Sequence, residues 1–399
     1  MLTTNKSTKV LVYGNVFRDY RSQVLVKLLL DAGYHVSLTC PDYYLTQRRS
    51  PVNFLYLGEL WLKALFADVI YLSPMNTRFI KSAIWVAKVF RKKLVVEMYI
   101  SIYDTFVGDG KPLKGKQIAA GTRQAKSMLH KDVLALTQSD FIIHTADREL
   151  DYWEKLLDTK IDRNKVAIAP NCNVSRLVHR RKFKQDGYLR ICWWGTFIPL
   201  HGLDNILQAM KILRAKQVKF TCSLFGVDND LFAKYAEKIR LEQLEDCVYL
   251  RKDLRFSDNS LPEYSIDSCD LALGIFGNTD KAYNTVPNKL IEALSMGIPT
   301  ITMNSPALKE FFAPQTDLWT CEPTPEAIAK SILTIANGAA YPVDWKQTQQ
   351  KVLDTFSVAR YRKVVSQVLA EATQDWQSET TSIVEPEVST HYLTVRNTD

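Results

Sequence analysis

The chain has 399 residues, of which 46% are hydrophobic and 24% are charged, and its formal net charge is +8. The length suits two domains with separate cores, and the composition is close to that of soluble proteins. Charged residues interrupt every apolar run before the roughly 18 residues that a membrane-spanning helix needs, and residues 1–9 lack the apolar core of a signal peptide, so we expect a cytoplasmic protein.

The first half alternates short apolar runs with segments of helical periodicity, which is the pattern of a parallel sheet covered on both faces. Helices are expected at residues 20–32, 79–90, 117–137 and 147–157. Strands are expected at residues 10–13, 35–40, 69–72, 94–98, 141–144 and 166–169. We therefore predict a doubly wound, Rossmann-like N-terminal domain over residues 1–171.

A second alternating series follows a polar connection. Residues 172–187 show no apolar period, and we place a linker there. Strands are then expected at 190–194, 220–225, 247–250, 271–276 and 300–303, with helices between them and later helices at 325–336, 344–355 and 358–372. We predict a second Rossmann-like domain over 188–356, a C-terminal helix over 357–373 and a polar tail over 374–399.

The predicted fold class is thus α/β, with two doubly wound Rossmann-like domains facing each other across a cleft. In such sheets ligands bind beyond the carboxyl ends of the strands, so two facing domains would enclose a site lined by loops.

The charge is unevenly distributed between the two halves. Residues 1–185 hold 30 Lys and Arg against 16 Asp and Glu, a net charge of +14, whereas residues 186–399 hold 21 against 27, a net charge of −6. The basic half could attract an anionic membrane surface, a pyrophosphate-linked lipid acceptor or nucleic acid. The alternative is a solvated surface that keeps the protein soluble.

The seven cysteines are scattered, and none forms a CxxC pair. Several lie inside predicted strands beside aliphatic residues, which favours reduced, buried thiols over disulfides or zinc ligands. We therefore expect no structural metal.

Residues 284–299 form the most informative segment. They are typical of a loop that becomes a short amphipathic helix, stops at Gly297 and continues as an apolar strand. A helix N-terminus suits a diphosphate, Lys289 adds a cation there, and Glu292 could accept two hydrogen bonds from a ribose diol. The alternative is an ordinary helix in which Pro287 starts the first turn, Glu292 is solvated and Gly297 is the C-cap.

This segment resembles the donor-binding signature of the retaining glycosyltransferases of family four, which have the two-domain glycosyltransferase B fold. In that signature two Glu residues, separated by seven others, bracket the nucleotide sugar. Glu292 matches the second Glu, whereas Asn284 stands at the first. The resemblance implies that Glu292 holds the ribose, and that the loop residues meet the sugar and the diphosphate; these are Asn284, Thr285, Val286, Pro287, Asn288 and Lys289.

Four further segments resemble the same family in the expected order, so that the resemblance covers roughly residues 8–370. Residues 194–202, Trp-Gly-Thr-Phe-Ile-Pro-Leu-His-Gly, are similar to the opening of the second domain, where many members place an Arg and a Lys on the diphosphate. Here neither is present, and His201 aligns with the Lys. The resemblance adds Thr196, His201 and Gly202 to the donor site, and it implies that the last helix crosses back to the first domain. The other segments are residues 100–105, 168–171 and 270–277.

Gly14 and Asn15 end the first predicted strand just before a helix, which would let the backbone approach a bound group at the cleft floor. The dinucleotide fingerprint GxGxxG is absent. A plain strand-to-helix turn is the alternative. Arg18 and Arg21 could reach a phosphate, or they could be solvated.

Glu97 ends a predicted interior strand, where an unpaired carboxylate is costly unless it lies at the cleft. Together with Ser101 and Asp104 it is the best candidate for binding or deprotonating an acceptor hydroxyl. The alternative is an ion pair with a nearby Lys or Arg.

His201 could donate to a diphosphate oxygen and stabilise the leaving nucleotide, in which case binding weakens as the pH rises through its pKa. The alternative is a helix-capping or exposed histidine. The sequence Asp228-Asn229-Asp230 matches the metal-binding DxD of another glycosyltransferase fold, but its place before a helix favours capping. The resembled family does not depend on a bound metal, so we expect neither a metal nor a cofactor.

The sequence therefore predicts a retaining glycosyltransferase that moves a sugar from a nucleoside diphosphate, most often uridine diphosphate, to a hydroxyl of a glycan or lipid-linked acceptor. The residues expected to take part in catalysis are Glu97, Asp104, His201 and Lys289. The first alternative is a non-catalytic sugar-nucleotide or glycan binder. A nucleic-acid-binding protein ranks lower, because the basic residues are dispersed and lack interleaved aromatic residues.

Overall fold

The computed structural model describes residues 8–17, 19–44, 54–113, 115–228 and 230–373. The predicted polar tail at 374–399 lies outside these residues, as does Arg18. Asn229 of the Asp-Asn-Asp sequence also lies outside them.

The first sheet has six parallel strands in the order β2-β1-β3-β4-β5-β6. Its strands are β1 (Lys9–Tyr13), β2 (His35–Thr39), β3 (Val69–Leu72), β4 (Lys93–Glu97), β5 (Phe141–His144) and β6 (Val166–Ile168). The helices that follow these strands are α1 (Tyr20–Asp31), α2 (Leu55–Phe66), α3 (Ile80–Val89), α4 (Arg123–Thr137) and α5 (Asp147–Leu156). All four residues of β3 are buried, because helices cover both faces of the sheet.

The second sheet also has six parallel strands, in the order β12-β11-β10-β7-β8-β9. Its strands are β7 (Leu189–Trp194), β8 (Phe220–Phe225), β9 (Val248–Arg251), β10 (Leu271–Leu273), β11 (Thr300–Met303) and β12 (Trp319–Cys321). The helices are α6 (Leu203–Ala215), α7 (Asp230–Leu241), α8 (Ser260–Ser268), α9 (Asp280–Asn284), α10 (Asn288–Ser295), α11 (Pro325–Ala336), α12 (Trp345–Thr355) and α13 (Val358–Thr373). The two sheets confirm the predicted α/β class with two doubly wound domains.

Three elements differ from the sequence prediction. Helix α4 begins at Arg123 instead of residue 117, because Thr122 caps it by accepting a 3.2 Å hydrogen bond from the backbone N–H of Ala125. Helix α2 and strand β12 were not predicted. The first is apolar on most of its surface and therefore lacks a clear helical period.

The last helix packs on the first sheet. Tyr361, Val365 and Leu369 of α13 are buried in a core with residues of β1, β3 and α1, such as Val12 and Leu25. The chain thus returns to the first domain after completing the second. The exact boundaries at residues 171 and 187 stay predictions.

None of the described helices is both long enough and apolar enough to span a lipid bilayer. The seven cysteines carry no disulfide; six are buried, and Cys321 is partly buried.

Candidate functional site

Helix α10 begins where the two domains meet. Its N-cap residue is Pro287, which has extended backbone, and no side chain caps its first turn. The side chain of Asn288 donates a 3.1 Å hydrogen bond to the Tyr99 hydroxyl of the first domain. The N-terminus of α10 therefore points toward the boundary between the two sheets, as an anion-binding helix must.

Lys289 is buried in the first turn of α10. Its Nζ lies 3.9 Å from the centre of the Trp193 ring and has no hydrogen-bond partner among the described residues. Burial holds the pKa of this amine well below its usual value, although the Glu292 carboxylate acts in the opposite direction. Burying an ammonium group without a hydrogen-bond acceptor costs folding free energy. The position of Lys289 therefore requires an explanation other than stability.

His201 lies close to Lys289, and one of its ring nitrogens also lacks a hydrogen-bond partner among the described residues. It follows β7 in a short 3₁₀ turn, and its ring meets the Trp193 ring edge-on at 5.4 Å between centroids. Its Nδ1 has no hydrogen-bond partner in the described part of the chain. Burial lowers the pKa of His201 well below its usual value, and the nearby cations Lys289 and Lys111 lower it further. The expected alternatives of an exposed or capping histidine are therefore wrong.

Gly195 lets these two side chains approach the backbone closely. A Cβ at this glycine would lie 2.7 Å from Lys289 Nζ and 3.0 Å from His201 Cε1, too near for the present packing. Both groups therefore lie against the same residue at the end of β7. Two neighbouring nitrogens that lack hydrogen-bond partners among the described residues, and that can both carry positive charge, suit an anionic ligand.

Glu292 lies one turn further along α10 and is buried, so the alternative of a solvated Glu292 is wrong. Its carboxylate accepts hydrogen bonds from Asn173 Nδ2 and from Trp194 Nε1. Burial raises the pKa of this carboxyl to about 7, while Trp194 and Lys289 lower it in part. Each oxygen has a second lone pair, so a ribose contact stays a prediction.

The segment before α10 makes direct contacts with the first domain. Lys281 Nζ lies 3.2 Å from Asp104 Oδ2 and donates a 2.9 Å hydrogen bond to Thr105 Oγ1. Thr285 Oγ1 lies 3.4 Å from Glu149 Oε1. These contacts hold the predicted donor loop between the domains.

The side chain of Val286 is buried among Leu290, Ile291 and Leu308, so only its backbone is left for the predicted contact with a sugar. Its carbonyl accepts a 3.3 Å hydrogen bond from Asn171. Asn284, at the end of α9, donates to the Asp280 carbonyl at 2.7 Å. It lines a polar groove of about 1150 Å³ that runs between α5 and α9 and also contains Asp280 and residues 148–160.

Glu97 belongs to a structural ion pair and not to an acceptor site. Its carboxylate accepts hydrogen bonds from the Arg21 guanidinium and, at 2.6 Å each, from the hydroxyls of Tyr71 and Tyr361. Arg21 also donates to the carbonyls of Ala169 and Pro170. Both side chains are almost fully buried, so the ion-pair alternative is correct and Arg21 is neither solvated nor on a phosphate.

The other two predicted acceptor residues are also engaged by the protein. Ser101 donates a 2.7 Å hydrogen bond to Asp132 and accepts one from the backbone N–H of Asp104. Asp104 accepts a 2.8 Å hydrogen bond from the Tyr152 hydroxyl and pairs with Lys281. Both residues are fully buried, which corrects the prediction that they bind an acceptor hydroxyl.

Gly14, which follows β1, and Gly202, which precedes α6, are required by packing. A Cβ at Gly14 would collide with the side chains of Ser73 and Asn76, and one at Gly202 would collide with the backbone of Phe276. Gly202 also has a positive φ of 64°. Close packing therefore explains why glycine stands at both positions, and the ligand contacts expected there stay predictions.

The predicted contacts of Asn15 and Thr196 with a ligand stay predictions. The backbone N–H of Asn15 donates to Asn76 at 2.9 Å, and its Oδ1 accepts from the backbone of Asp42. Asn15 Nδ2 has no partner among the described residues, so a ligand contact there stays a prediction. Thr196 is exposed.

The sequence analysis missed several residues of this site. The Trp193 ring under Lys289, the close approach at Gly195, and Asn173 on Glu292 gave no separate signal, although Trp193 precedes the segment 194–202 and Gly195 lies within it. Asn173 could not be found, because it lies 119 positions before its partner.

The second domain matches a known family. Residues 189–337 match the model of the group 1 glycosyl transferases. This range includes Gly195, His201, Lys289 and Glu292, whereas Tyr99 and Asn173, which contact the same helix, lie outside it. A comparison with curated proteins finds no match.

Solved structures match almost the entire chain. Sucrose-phosphate synthase from Thermosynechococcus elongatus is 14% identical, with a TM-score of 0.67 over 92% of this chain and 100% of the synthase. The chain has the glycosyltransferase B fold. The Anabaena protein HepE in complex with UDP-glucose is 14% identical, with a TM-score of 0.62 over 91% of this chain and 99% of HepE. The lipopolysaccharide outer core galactosyltransferase WaaB is 11% identical, with a TM-score of 0.61 over 91% and 99%.

These findings support a glycosyltransferase of the glycosyltransferase B fold. At such low identity the structural likeness shows the fold alone, and the substrates must be argued from the site.

Proposed function

We propose that this protein is a retaining glycosyltransferase of family four. It transfers a hexose or modified hexose from a nucleoside diphosphate to a hydroxyl of a glycan or lipid-linked acceptor. The first candidate for the nucleoside diphosphate is UDP. The observation that supports this most is the pair of buried, unpartnered nitrogens of Lys289 and His201 beside Gly195. A pyrophosphate would supply the acceptors that both groups lack. The UDP-glucose bound to the similar HepE supports a nucleotide-sugar donor.

In the proposed reaction the diphosphate leaves from the face of the sugar on which the acceptor hydroxyl attacks. The bond between the anomeric carbon and the phosphate oxygen breaks, the bond to the acceptor oxygen forms, and the acceptor proton passes to the leaving diphosphate. No protein nucleophile is required. Lys289, His201 and the free backbone N–H groups of α10 stabilise the negative charge that develops on the diphosphate.

The roles of the neighbouring residues follow from their positions. Glu292 lies one turn from Lys289 and would accept from the ribose hydroxyls. Asn284, which lines the groove between α5 and α9, and the neighbouring Thr285 would meet the sugar. Glu97 and Asp104 are left out of the proposed chemistry, because protein groups already occupy them.

A non-catalytic sugar-nucleotide binder is the second candidate. It is favoured by Asn284, which stands at an acidic position of the family signature and donates its amide to the Asp280 carbonyl. Such a protein would bind the diphosphate through the same Lys289 and His201 but would not turn the sugar over.

A thermal-shift screen of the full chain against UDP, GDP, dTDP and their sugars tests the proposal. A nucleotide at 100 times its dissociation constant should stabilise the fold by about 2.7 kcal/mol. If one diphosphate stabilises the chain and its sugar is released or transferred in a product assay, the enzyme proposal holds. Stabilisation without turnover for any acceptor identifies the binder, and no stabilisation by any nucleotide overturns both.

A separate measurement tests the stereochemistry of the proposed reaction. A retaining reaction gives a product with the same anomeric configuration as the donor. NMR coupling constants of the product show this configuration. A product of inverted configuration contradicts the mechanism while leaving the donor site intact.

A further inference from the structure

Helix α2 exposes an apolar stripe to solvent. Leu55, Leu62, Leu65 and Phe66 are each 52–63% exposed, whereas Leu60 and Ala64 on the opposite side are fully buried. Spacings of seven, ten and eleven residues place the exposed side chains on one side of the helix. The outer side of a surface helix is normally polar. Helix α2 instead has apolar residues on both its inner and its outer side.

The apolar surface continues onto α3. The Trp61 ring lies 4.9 Å from the Trp85 ring and 5.1 Å from the Phe90 ring, between centroids. Trp85 and Val89 are about half exposed. The two neighbouring helices therefore share one surface, which we name the α2–α3 face; it consists of Leu55, Trp61, Leu62, Leu65, Phe66, Trp85, Val89 and Phe90.

Basic residues border the α2–α3 face. Residues 54–93 contain seven Lys and Arg against two Asp and Glu. Lys81 and Lys88 flank Trp85 at the helical spacings of four and three residues, and Arg91 and Lys92 follow the helix. Lys81, Arg91 and Lys92 form no ion pair with any described residue, and Lys88 meets only the amide oxygen of Gln138. The other three basic residues, Lys63, Arg78 and Lys93, pair with Glu59, Asp42 and Asp140. Lys81, Lys88, Arg91 and Lys92 are therefore the cations of this border that have no carboxylate partner in the described part of the chain.

We propose that the α2–α3 face docks the protein onto an anionic phospholipid surface. Leucine and aromatic side chains would enter the boundary between head groups and acyl chains, and the two tryptophans suit that depth. The bordering Lys and Arg residues would meet phosphate head groups. A helix of twelve residues that lies on the first sheet enters the interface without spanning it.

Charge complementarity selects lipid over a second copy of the chain. In a symmetric dimer the same surface meets itself, so the four unpaired basic residues would face the same four cations of the second copy. An anionic membrane instead supplies the opposite charge along the whole border. A small apolar groove of about 340 Å³ between α2 and the edge strand β2, lined by Val36, Leu62 and Phe66, extends the face on one side.

This proposal does not rest on the proposed function, because membrane binding requires neither donor nor turnover. Purified full-length protein is mixed with vesicles of phosphatidylcholine alone or mixed with phosphatidylglycerol, and the bound fraction is measured by flotation. We expect binding to the mixed vesicles, weakened by salt, and little binding to phosphatidylcholine alone.

Two sets of variants test the apolar and the basic residues of the α2–α3 face. Leu62→Glu with Phe66→Glu removes two apolar side chains and adds two negative charges, and it should weaken binding to the mixed vesicles at least tenfold. Burial of one apolar side chain alone accounts for about that factor. The control is Leu241→Glu at the end of α7, which is 66% exposed in the second domain and should bind as the natural chain does.

Lys81→Ala with Lys92→Ala should weaken binding about fivefold per residue and reduce its salt dependence. Lys216→Ala with Lys330→Ala, two exposed lysines of the second domain, is the matched control. All four variants change exposed or partly exposed positions, so thermal melting should show an unchanged fold.

Absence of binding of the natural chain to the mixed vesicles would overturn the proposal, as would equal losses in variants and controls. A dimer that Leu62→Glu with Phe66→Glu separates, without any effect on vesicle binding, would assign the α2–α3 face to a second copy. Sedimentation velocity of the same samples measures that outcome.

Discussion

Two buried groups of charged side chains, one in each domain, are built in opposite ways. In the first domain Arg21 and Glu97 are paired, and every remaining bond of the pair goes to a tyrosine hydroxyl or a backbone carbonyl. In the second domain Lys289 Nζ and His201 Nδ1 are also buried but have no hydrogen-bond partner among the described residues. Burial alone would lower the pKa of Arg21, but Glu97 and neighbouring groups raise that pKa above the usual value of an arginine. The pKa of Lys289, by contrast, is well below the usual value of a lysine.

The difference separates structure from function. A buried charge with all its partners stabilises the contact between distant segments, here α1, β4 and α13. A buried cation without a partner costs free energy and remains only where something else requires it. In this fold the missing partner corresponds to the proposed diphosphate.

Breaking the paired group should give the largest effect. Glu97→Gln keeps the side-chain shape but leaves the Arg21 charge buried without its carboxylate, so the free energy of unfolding should fall by about 3–5 kcal/mol. Urea denaturation measures this fall. Asp267→Asn is the control, because it removes a carboxylate from the exposed pair with Arg180 and should cause no measurable loss. Equal effects of both changes would contradict the comparison.

The pH dependence of stability tests Glu292, a buried carboxyl that accepts hydrogen bonds from the protein but has, among the described residues, no ion-pair partner as close as that of Glu97. Its folded pKa of about 7 exceeds its usual 4.5 because of burial. Between these values the unfolded chain loses the proton and the folded chain keeps it, so the free energy of unfolding should fall by about 3 kcal/mol as the pH rises through that window.

Glu292→Gln should abolish that dependence. His201, whose pKa is lowered, has the opposite effect as the pH falls below its usual 6.5, but it does so equally in both proteins. The difference between the two stability curves therefore isolates Glu292. Parallel curves between pH 4.5 and 7 would show that the carboxyl is ionised throughout.

Two buried lysines of the same segment provide a matched pair. Lys289→Met keeps the apolar stem over Trp193 but removes the unpartnered charge, so the chain without ligand should be as stable or more stable. The stabilisation by the nucleotide, about 2.7 kcal/mol at 100 times the natural dissociation constant, should disappear.

Lys281→Met should behave in the reverse manner. It leaves Asp104 buried without its cation, so the free energy of unfolding should fall, while the nucleotide still stabilises the fold. Thermal melting with and without UDP measures both variants. The comparison fails if Lys281→Met loses nucleotide binding and Lys289→Met retains it.

Removal of divalent ions should have the smallest effect. If Lys289 and His201 neutralise the leaving diphosphate, turnover in EDTA should equal turnover in buffer, and manganese should not increase it. Initial rates of nucleotide release provide the measurement. Loss of activity in EDTA that manganese restores would assign the charge stabilisation to a metal.

The sequence predicted the elements whose patterns are local. Strands at residues 69–72, 141–144, 220–225 and 300–303 coincide with the observed ones, because short apolar runs between turns specify buried parallel strands. The helix at Lys289 and Glu292 was also found, since its start after Pro287 is a local signal. Helix α2 was missed because several apolar residues on its outer side hide the helical period.

The site was only half predictable. The sequence indicated Lys289, Glu292 and His201 by their residue types and motifs, and it correctly noted that Glu97 ends an interior strand. It could not indicate that Arg21, which lies 76 positions earlier, takes that carboxylate. Nor could it show that Val286 packs inward or that Asp104 pairs with Lys281.

The sequence by itself therefore determined the two parallel sheets, their order along the chain and the helix N-terminus at which a ligand is expected. These features follow from hydrophobic periodicity and turn residues, which act over a few positions. Only the tertiary structure decided which buried charges are paired and which are free, because each pairing joins segments tens to hundreds of residues apart. That decision separates the structural Arg21 and Glu97 from the Lys289 and His201 of the proposed site.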